Sequence, residues 1–134
     1  MNDQRGEGSF RHVSLTVTDL EEARRFYRDV VGLAEVPRPD LGVPGVWFAL
    51  DGELQLHILV NEALRKPEAE RRSWTICYPH FALWTADVRA KTRALRDAGH
   101  DVLENAPPGA GFAQVFVKDP DGNMVEFIGS GGSS

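Results

Sequence analysis

The sequence predicts an α+β fold in which one βαβββ module occurs twice, and three observations carry that reading. First, a segment beginning His12-Val-Ser-Leu returns as His80-Phe-Ala-Leu. His12 to His80 and Asp19 to Asp87 are each separated by 68 positions, and Gly32 to Gly99 by 67. Three differently constrained positions thus fall in nearly one register, at a spacing that suits two half-domains rather than a solenoid. Second, both copies run from a period-2 pattern into a capped helical pattern. Third, each copy then carries apolar runs joined by Asp-Gly turn signals, the mark of a hairpin.

The elements follow in order. In residues 12–17, Val13, Leu15 and Val17 alternate with His12, Ser14 and Thr16, as in a half-buried strand. Asp19 is placed to cap a helix of about twelve residues, with Glu22 three positions on and Gly32 as the left-handed stop. Leu20, Ala23, Phe26, Tyr27, Val30 and Val31 form its apolar stripe, which suits a helix lying on a sheet. Strands are expected at 34–38, 45–50 and 54–60, the last two joined at Asp51-Gly52. The second module repeats this with a helix from Asp87 to Gly99 and a weaker stripe of Val88, Leu95 and Ala98. Its later strands are expected at 101–105, 114–117 and 124–128, the last two joined by Asp119-Pro-Asp-Gly122. The organisation read from this is a polar N-terminal extension at 1–10, one domain at 11–128 and a flexible tail at 129–134. Within the domain, module one is 11–60, a charged and partly helical linker is 61–79, and module two is 80–128.

Composition narrows the function. The 134 residues are 42% hydrophobic and 26% charged, the balance of one ordinary globular domain. Such a chain buries roughly two thirds of its unfolded surface, so a bound metal is expected to be functional rather than a structural staple. A net charge of −5 without a long basic run speaks against nucleic acid. The single cysteine, Cys77, allows no internal disulfide and makes the cytoplasm the expected compartment. The longest apolar run, 46–50, is too short to span a bilayer, so no membrane partner is expected.

Four polar residues stand where the repeat gives them chemical meaning. His12 shares a strand face with Ser14 and Thr16, and His80 with Ala82 and Trp84, opposite the faces that pack on the helices. Glu126 lies in the apolar run 124–128, where an unpaired carboxylate is expensive to bury. His57 lies in the apolar run 54–60 and shares its face with Gln55. A lone strand histidine is more often a hydrogen-bonding residue than a ligand, and Glu126 alone could be an edge-strand charge. Coincidence with the repeat favours ligation, because a pseudo-twofold axis makes equivalent strands neighbours. Two imidazoles and a carboxylate then suit a divalent cation with open positions for substrate. His100, beside the helix stop, reads as a loop residue.

The sequence closely resembles the vicinal oxygen chelate superfamily, which includes glyoxalase I, bleomycin-resistance proteins and extradiol dioxygenases. The likeness runs from Arg11 to Ile128. It is carried by His12-Val-Ser, Phe26-Tyr27, Val31-Gly32-Leu33, His80-Phe-Ala and above all Asp119-Pro-Asp-Gly-Asn-Met-Val-Glu126. The resemblance implies an open, mixed-sheet barrel-like cup with helices outside, and His12, His80 and Glu126 as metal ligands. It also implies one divalent ion (Fe, Mn, Ni, Co or Zn), a small-molecule substrate and a homodimer. The Asp119 turn is read as structural, aiming Glu126 into the cup. The departure is in module one, where glyoxalase I has a second glutamate. Counting from the turn glycines maps Glu126 onto Leu56, leaving Gln55 and His57 as rivals for the equivalent place.

The resulting expectation is a glyoxalase-like lyase or isomerase. Its substrate chelates the metal through two neighbouring oxygens and reacts through an enediolate, with His57 or Glu126 moving the proton. Gln55, Trp84 and Gln114 are the expected substrate-binding residues. One alternative is an Fe(II) extradiol dioxygenase. Another is a metal-free, bleomycin-resistance-type drug-binding protein with Trp47, Trp84 and Phe116 as aromatic walls.

Overall fold

A computed structural model describes residues 5–131. The chain divides into two compact units that part between Arg65 and Lys66. The first contains β1 (His12–Val17), α1 (Leu20–Arg25), β2 (Glu35–Val36), β3 (Gly45–Ala49) and β4 (Gln55–Val60). Its sheet has the order β1-β4-β3-β2, with β1 parallel to β4 and the other pairs antiparallel. The second contains α2 (Glu68–Arg72), β5 (His80–Thr85), α3 (Val88–Asp97), β6 (Val102–Asn105), β7 (Ala113–Lys118) and β8 (Met124–Gly129). Its sheet repeats the design as β5-β8-β7-β6, again with one parallel pair. The expected pair of βαβββ modules in an α+β fold is therefore observed. No helix among the described residues is long and apolar enough to cross a membrane.

Both helices start where the aspartates were expected to cap them. Asp19 accepts from the Glu22 amide at 2.9 Å and Asp87 from the Ala90 amide at 3.0 Å. Gly32 and Gly99 end the helical stretches at φ +89° and +92°, values that a side chain rarely tolerates. The first helix is not regular to its end. From Phe26 to Val30 it widens to a π-helical turn, with the Val31 amide donating to Phe26 O at 3.0 Å. Adjacent Phe26 and Tyr27 are both buried there, edge to face at 4.9 Å, and Tyr27 reaches Phe48 on β3.

Alternation sorts each sheet into two faces. Val46, Phe48, Leu56 and Ile58 are buried on one side of β3 and β4, which leaves Trp47, Gln55 and His57 for the other. In the second unit Val115, Val117, Val125 and Phe127 form the core with Val88, Thr92 and Leu95 of α3. Burying a side chain of this size is worth about 1.5–3 kcal/mol.

Several boundaries differ from expectation. Strand β2 is confined to two residues because Pro37 and Pro39 bring no amide hydrogen to a ladder. Ala98 is exposed at the helix cap, and Thr92 takes its place in the buried stripe by donating its hydroxyl to Val88 O at 2.8 Å. Strand β8 extends through Gly129, so the tail begins at Ser130. Residues 132–134 of that tail and 1–4 of the N-terminal extension lie outside the described residues. In the linker stretch, Glu62–Leu64 forms a 3-10 turn and Glu68–Arg72 forms α2. Lys118 of β7 ties the latter down, its ammonium donating to the carbonyls of Arg71 and Ser73 over the Trp74 ring.

Candidate active site

In the second unit, β5 and β8 place His80 and Glu126 on one sheet face, since Glu126 pairs with Ala82, two residues from His80. The His80 Nε2 lies 3.0 Å from Glu126 Oε1, and the glutamate side chain is only 4% exposed. Its other oxygen, Oε2, accepts from Gln114 Nε2 at 3.0 Å, and Gln114 Oε1 in turn accepts from Asn105 Nδ2 at 2.6 Å. The amide chain fixes the carboxylate plane. On the far side of the imidazole, Nδ1 lies 2.7 Å from the Tyr78 carbonyl oxygen. A carbonyl can only accept, so Nδ1 carries a proton and Nε2 is the atom left to meet Glu126. A neutral imidazole would there present a lone pair to a carboxylate, two acceptors face to face. A proton shared between the two groups, or a cation, resolves the conflict. A neutral histidine with Nδ1–H held by a backbone carbonyl is also the form in which the ring commonly ligates metal.

In the first unit, β1, β3 and β4 place three rings in a stack. His12 lies on His57 at 4.1 Å between centroids and 15° between planes, and Trp47 lies on His57 at 3.9 Å and 5°. Gln55 Oε1 faces His57 Nε2 at 2.9 Å. An amide oxygen accepts, so Nε2 carries the ring proton and Nδ1 keeps the lone pair. Burial, then the His12 imidazole and the Arg38 guanidinium, hold the His57 pKa below its ordinary value. The ring is thus neutral at physiological pH.

Strand register separates the two rivals in module one. Pairing β1 with β4 matches His12 to Gln55 and Ser14 to His57, while pairing β5 with β8 matches His80 to Met124 and Ala82 to Glu126. His57 therefore stands where Glu126 stands, and Gln55 corresponds to Met124. Counting from the glycines was one place out for an identifiable reason. Both hairpins have five residues between paired strand ends, but the left-handed glycine is third in one, at Gly52, and fourth in the other, at Gly122.

Each unit brings together two of the expected donors, His12 with His57 and His80 with Glu126. Among the described residues of either unit, no group of three His, Cys, Asp or Glu side chains is placed to hold a metal ion. The donor chemistry of the second unit nevertheless fits a divalent ion, because an Nδ1–H imidazole and an oriented carboxylate offer His80 Nε2 and Glu126 Oε1 side by side. Of the expected substrate-binding residues, Gln55 and Gln114 are engaged with His57 and Glu126. Trp84 is 77% exposed. Phe116, expected as an aromatic wall, is buried with its ring edge to face against His80 at 5.2 Å.

Three participants were missed in the sequence. Asn105 and the Tyr78 carbonyl act through contacts that no spacing reveals. Arg38 left a faint signal in Gly45, the bare position at which its guanidinium rests. A Cβ on Gly45 would lie 3.1 Å from the guanidinium carbon and 2.3 Å from Ile58 O. Arg38 Nη2 donates to Val43 O at 2.7 Å, whereas Arg38 Nε and Trp47 Nε1 are buried with no acceptor among the described residues. Each such orphan costs about 1–3 kcal/mol.

The two repeated modules and their polar sheet faces define the class to which comparison with known proteins assigns the chain. Residues 9–127 match the Glyoxalase/Bleomycin resistance protein/Dioxygenase superfamily, and the chain belongs to that family. It is 32% identical to the lactoylglutathione lyase of Haemophilus influenzae over 126 residues, 87% of this chain and 89% of that protein. The Neisseria meningitidis serogroup A lactoylglutathione lyase is also 32% identical, over 120 residues and 87% of each chain. Among solved structures, a glyoxalase family protein from Bacillus anthracis superposes with TM-score 0.70 at 25% identity, covering 96% of this chain and 99% of that one.

Proposed function

We propose that this protein is a divalent-metal-dependent lyase or isomerase of the glyoxalase type, acting on a small compound with two neighbouring oxygens. The observation that carries the reading is the His80–Glu126 pair, in which a fixed Nδ1–H tautomer and an oriented carboxylate direct two acceptor atoms at one another. The ligand set in this reading, His12, His80 and Glu126, is the one the sequence resemblance implies. When bound, the ion supplies Lewis acidity, polarising a carbonyl so that the adjacent C–H becomes acidic.

The remaining work belongs to the side chains. His57 takes the proton at Nδ1 while its Nε2–H stays on Gln55, and a neutral ring of depressed pKa is free to accept it. Gln114 keeps the Glu126 carboxylate from rotating, and the stack on Trp47 keeps the His57 plane fixed. The relatives named lactoylglutathione lyase support isomerisation chemistry of this kind. The histidine in the module-one position favours a substrate other than lactoylglutathione itself. A small hydroxy-carbonyl substrate, a dimeric assembly and an intracellular setting complete the proposal.

The test is metal content and turnover in protein purified without chelator or affinity tag. His12→Ala, His80→Ala and Glu126→Ala should each lose most of the bound divalent metal while remaining folded by circular dichroism. Full retention in any two of them refutes the ligand set. Absence of isomerase activity on a panel of hydroxy-carbonyl compounds, with metal bound, refutes the reaction class.

A further inference from the structure

We propose that Arg38 and Trp47 form a carboxylate-binding subsite on the sheet face that carries His57, and that the substrate is a hydroxy-carbonyl compound bearing a carboxylate. The substrate half rests on the reading above, whereas the subsite stands on the first unit alone.

Residues 45, 47 and 49 of β3 point to one face by strand alternation, the face shared with His57, which pairs with Trp47. Gly45 has no side chain to occupy its place there, and the Arg38 guanidinium lies over it. The Arg38 guanidinium therefore lies at the start of β3, two residues along that strand from Trp47. Both carry a buried N–H without an acceptor among the described residues, Nε of the arginine and Nε1 of the indole. Buried donors in a native structure are almost always satisfied, so two exceptions so placed mark a place where acceptor atoms arrive from outside the chain. The Nη2 bond to Val43 O orients the guanidinium before any ligand binds.

Charge selects the acceptor. No ion pair joins Arg38 to a carboxylate among the described residues. Two carboxylates that line the cleft beside it are engaged elsewhere, Glu35 with Arg24 and Asp40 with the Gly42 amide. The uncompensated charge of one guanidinium matches a carboxylate better than a dianionic phosphate, and planar N–H donors suit planar oxygens. An open cleft of about 650 Å3 beside Arg38 is lined by Arg24, Glu35, Asp40, Val43 and Gly45 as well. A carboxylate held here is next to the His57 ring, so the subsite would fix which end of the substrate meets the proton-transferring group.

Chelator-treated, metal-free protein at pH 7.5 is titrated with acetate, with its uncharged isostere acetamide, and with inorganic phosphate. Binding is followed by calorimetry and by the 15N–1H indole resonances, Trp47 being the one lost in Trp47→Phe. Acetate should move the Trp47 resonance and bind at least tenfold more tightly than acetamide or phosphate. Arg38→Met should remove that tenfold preference. Trp47→Phe, which keeps a ring against His57 and drops the N–H, should weaken acetate severalfold and decides the matter if Arg38→Met does not fold. Equal binding of acetate and acetamide, tighter binding of phosphate, or acetate affinity unchanged in the folded variants overturns the proposal. Because no metal is present, failure of the metal reading leaves this titration untouched, and its failure leaves the metal contents untouched.

Discussion

Asp119→Ala is the substitution with the clearest expected cost, because the turn that delivers Glu126 is built around one carboxylate. Asp119 is 4% exposed. Its Oδ1 accepts from the amides of Asp121 and Asn123, and its Oδ2 from Asn123 Nδ2, all at 2.9 Å. Alanine removes three charge-assisted bonds and strands two main-chain donors in a turn where Asp121 is itself buried. Hydrogen bonds to a charged group contribute about 1.5–3 kcal/mol each, and relief from burying the charge returns part of the sum. A net loss of about 3 kcal/mol is expected. For a chain of this length that lowers the melting temperature by about 10 °C. Asp119→Asn keeps an oxygen for the two amides and should lose only about 1 kcal/mol. Urea and thermal unfolding followed by tryptophan fluorescence measure both. An alanine variant within about 0.5 kcal/mol of the parent, or an asparagine variant as damaged as the alanine one, would refute the account of the turn.

Asp19→Ala and Asp87→Ala should each cost about 1 kcal/mol through loss of a helix N-cap, with metal content unchanged. Metal lost at unchanged stability would show that the aspartates do something other than cap. His57→Gln should leave metal and substrate binding in place and lower turnover by about two to four powers of ten, the usual worth of a positioned general base. Metal lost first would make His57 a ligand instead. Because the folded-state pKa of His57 is depressed, the unfolded chain takes up its proton first as pH falls. The metal-free protein should therefore keep the His57 contribution above about pH 6.5 and lose it on acidification through the folded pKa. His57→Gln should flatten that part of the stability profile, and an unchanged profile would contradict the assigned burial.

Repeat, caps and turns were legible because each is a local consequence of local chemistry. A carboxylate before a helix finds free amides wherever the helix goes, and a glycine that must adopt positive φ advertises itself by its lack of a side chain. Asp19, Asp87, Gly32 and Gly99 are of this kind. The π-helical turn at Phe26 was not legible, because apolar spacing is nearly the same for an i+4 and an i+5 ladder over five residues. Strand β2 is shorter than its apolar character suggests, because Pro37 and Pro39 bring no amide hydrogens to the ladder.

For the candidate site, the sequence by itself determined which side chains share a strand face: His12 with Ser14, Gln55 with His57, His80 with Trp84. Side-chain alternation has a period of two whatever the strand pairs with, so these assignments needed no partner. Only the tertiary structure decided that His57, and not Gln55, matches Glu126. That depends on which residues of β1 and β4 lie opposite one another, a property of interstrand hydrogen bonds rather than of either strand alone. The same holds for the proton on His80, set by a carbonyl two residues away, and for Arg38, set by the empty place at Gly45. In each case the deciding atom belongs to the main chain, and the one-letter sequence does not record where the main chain goes.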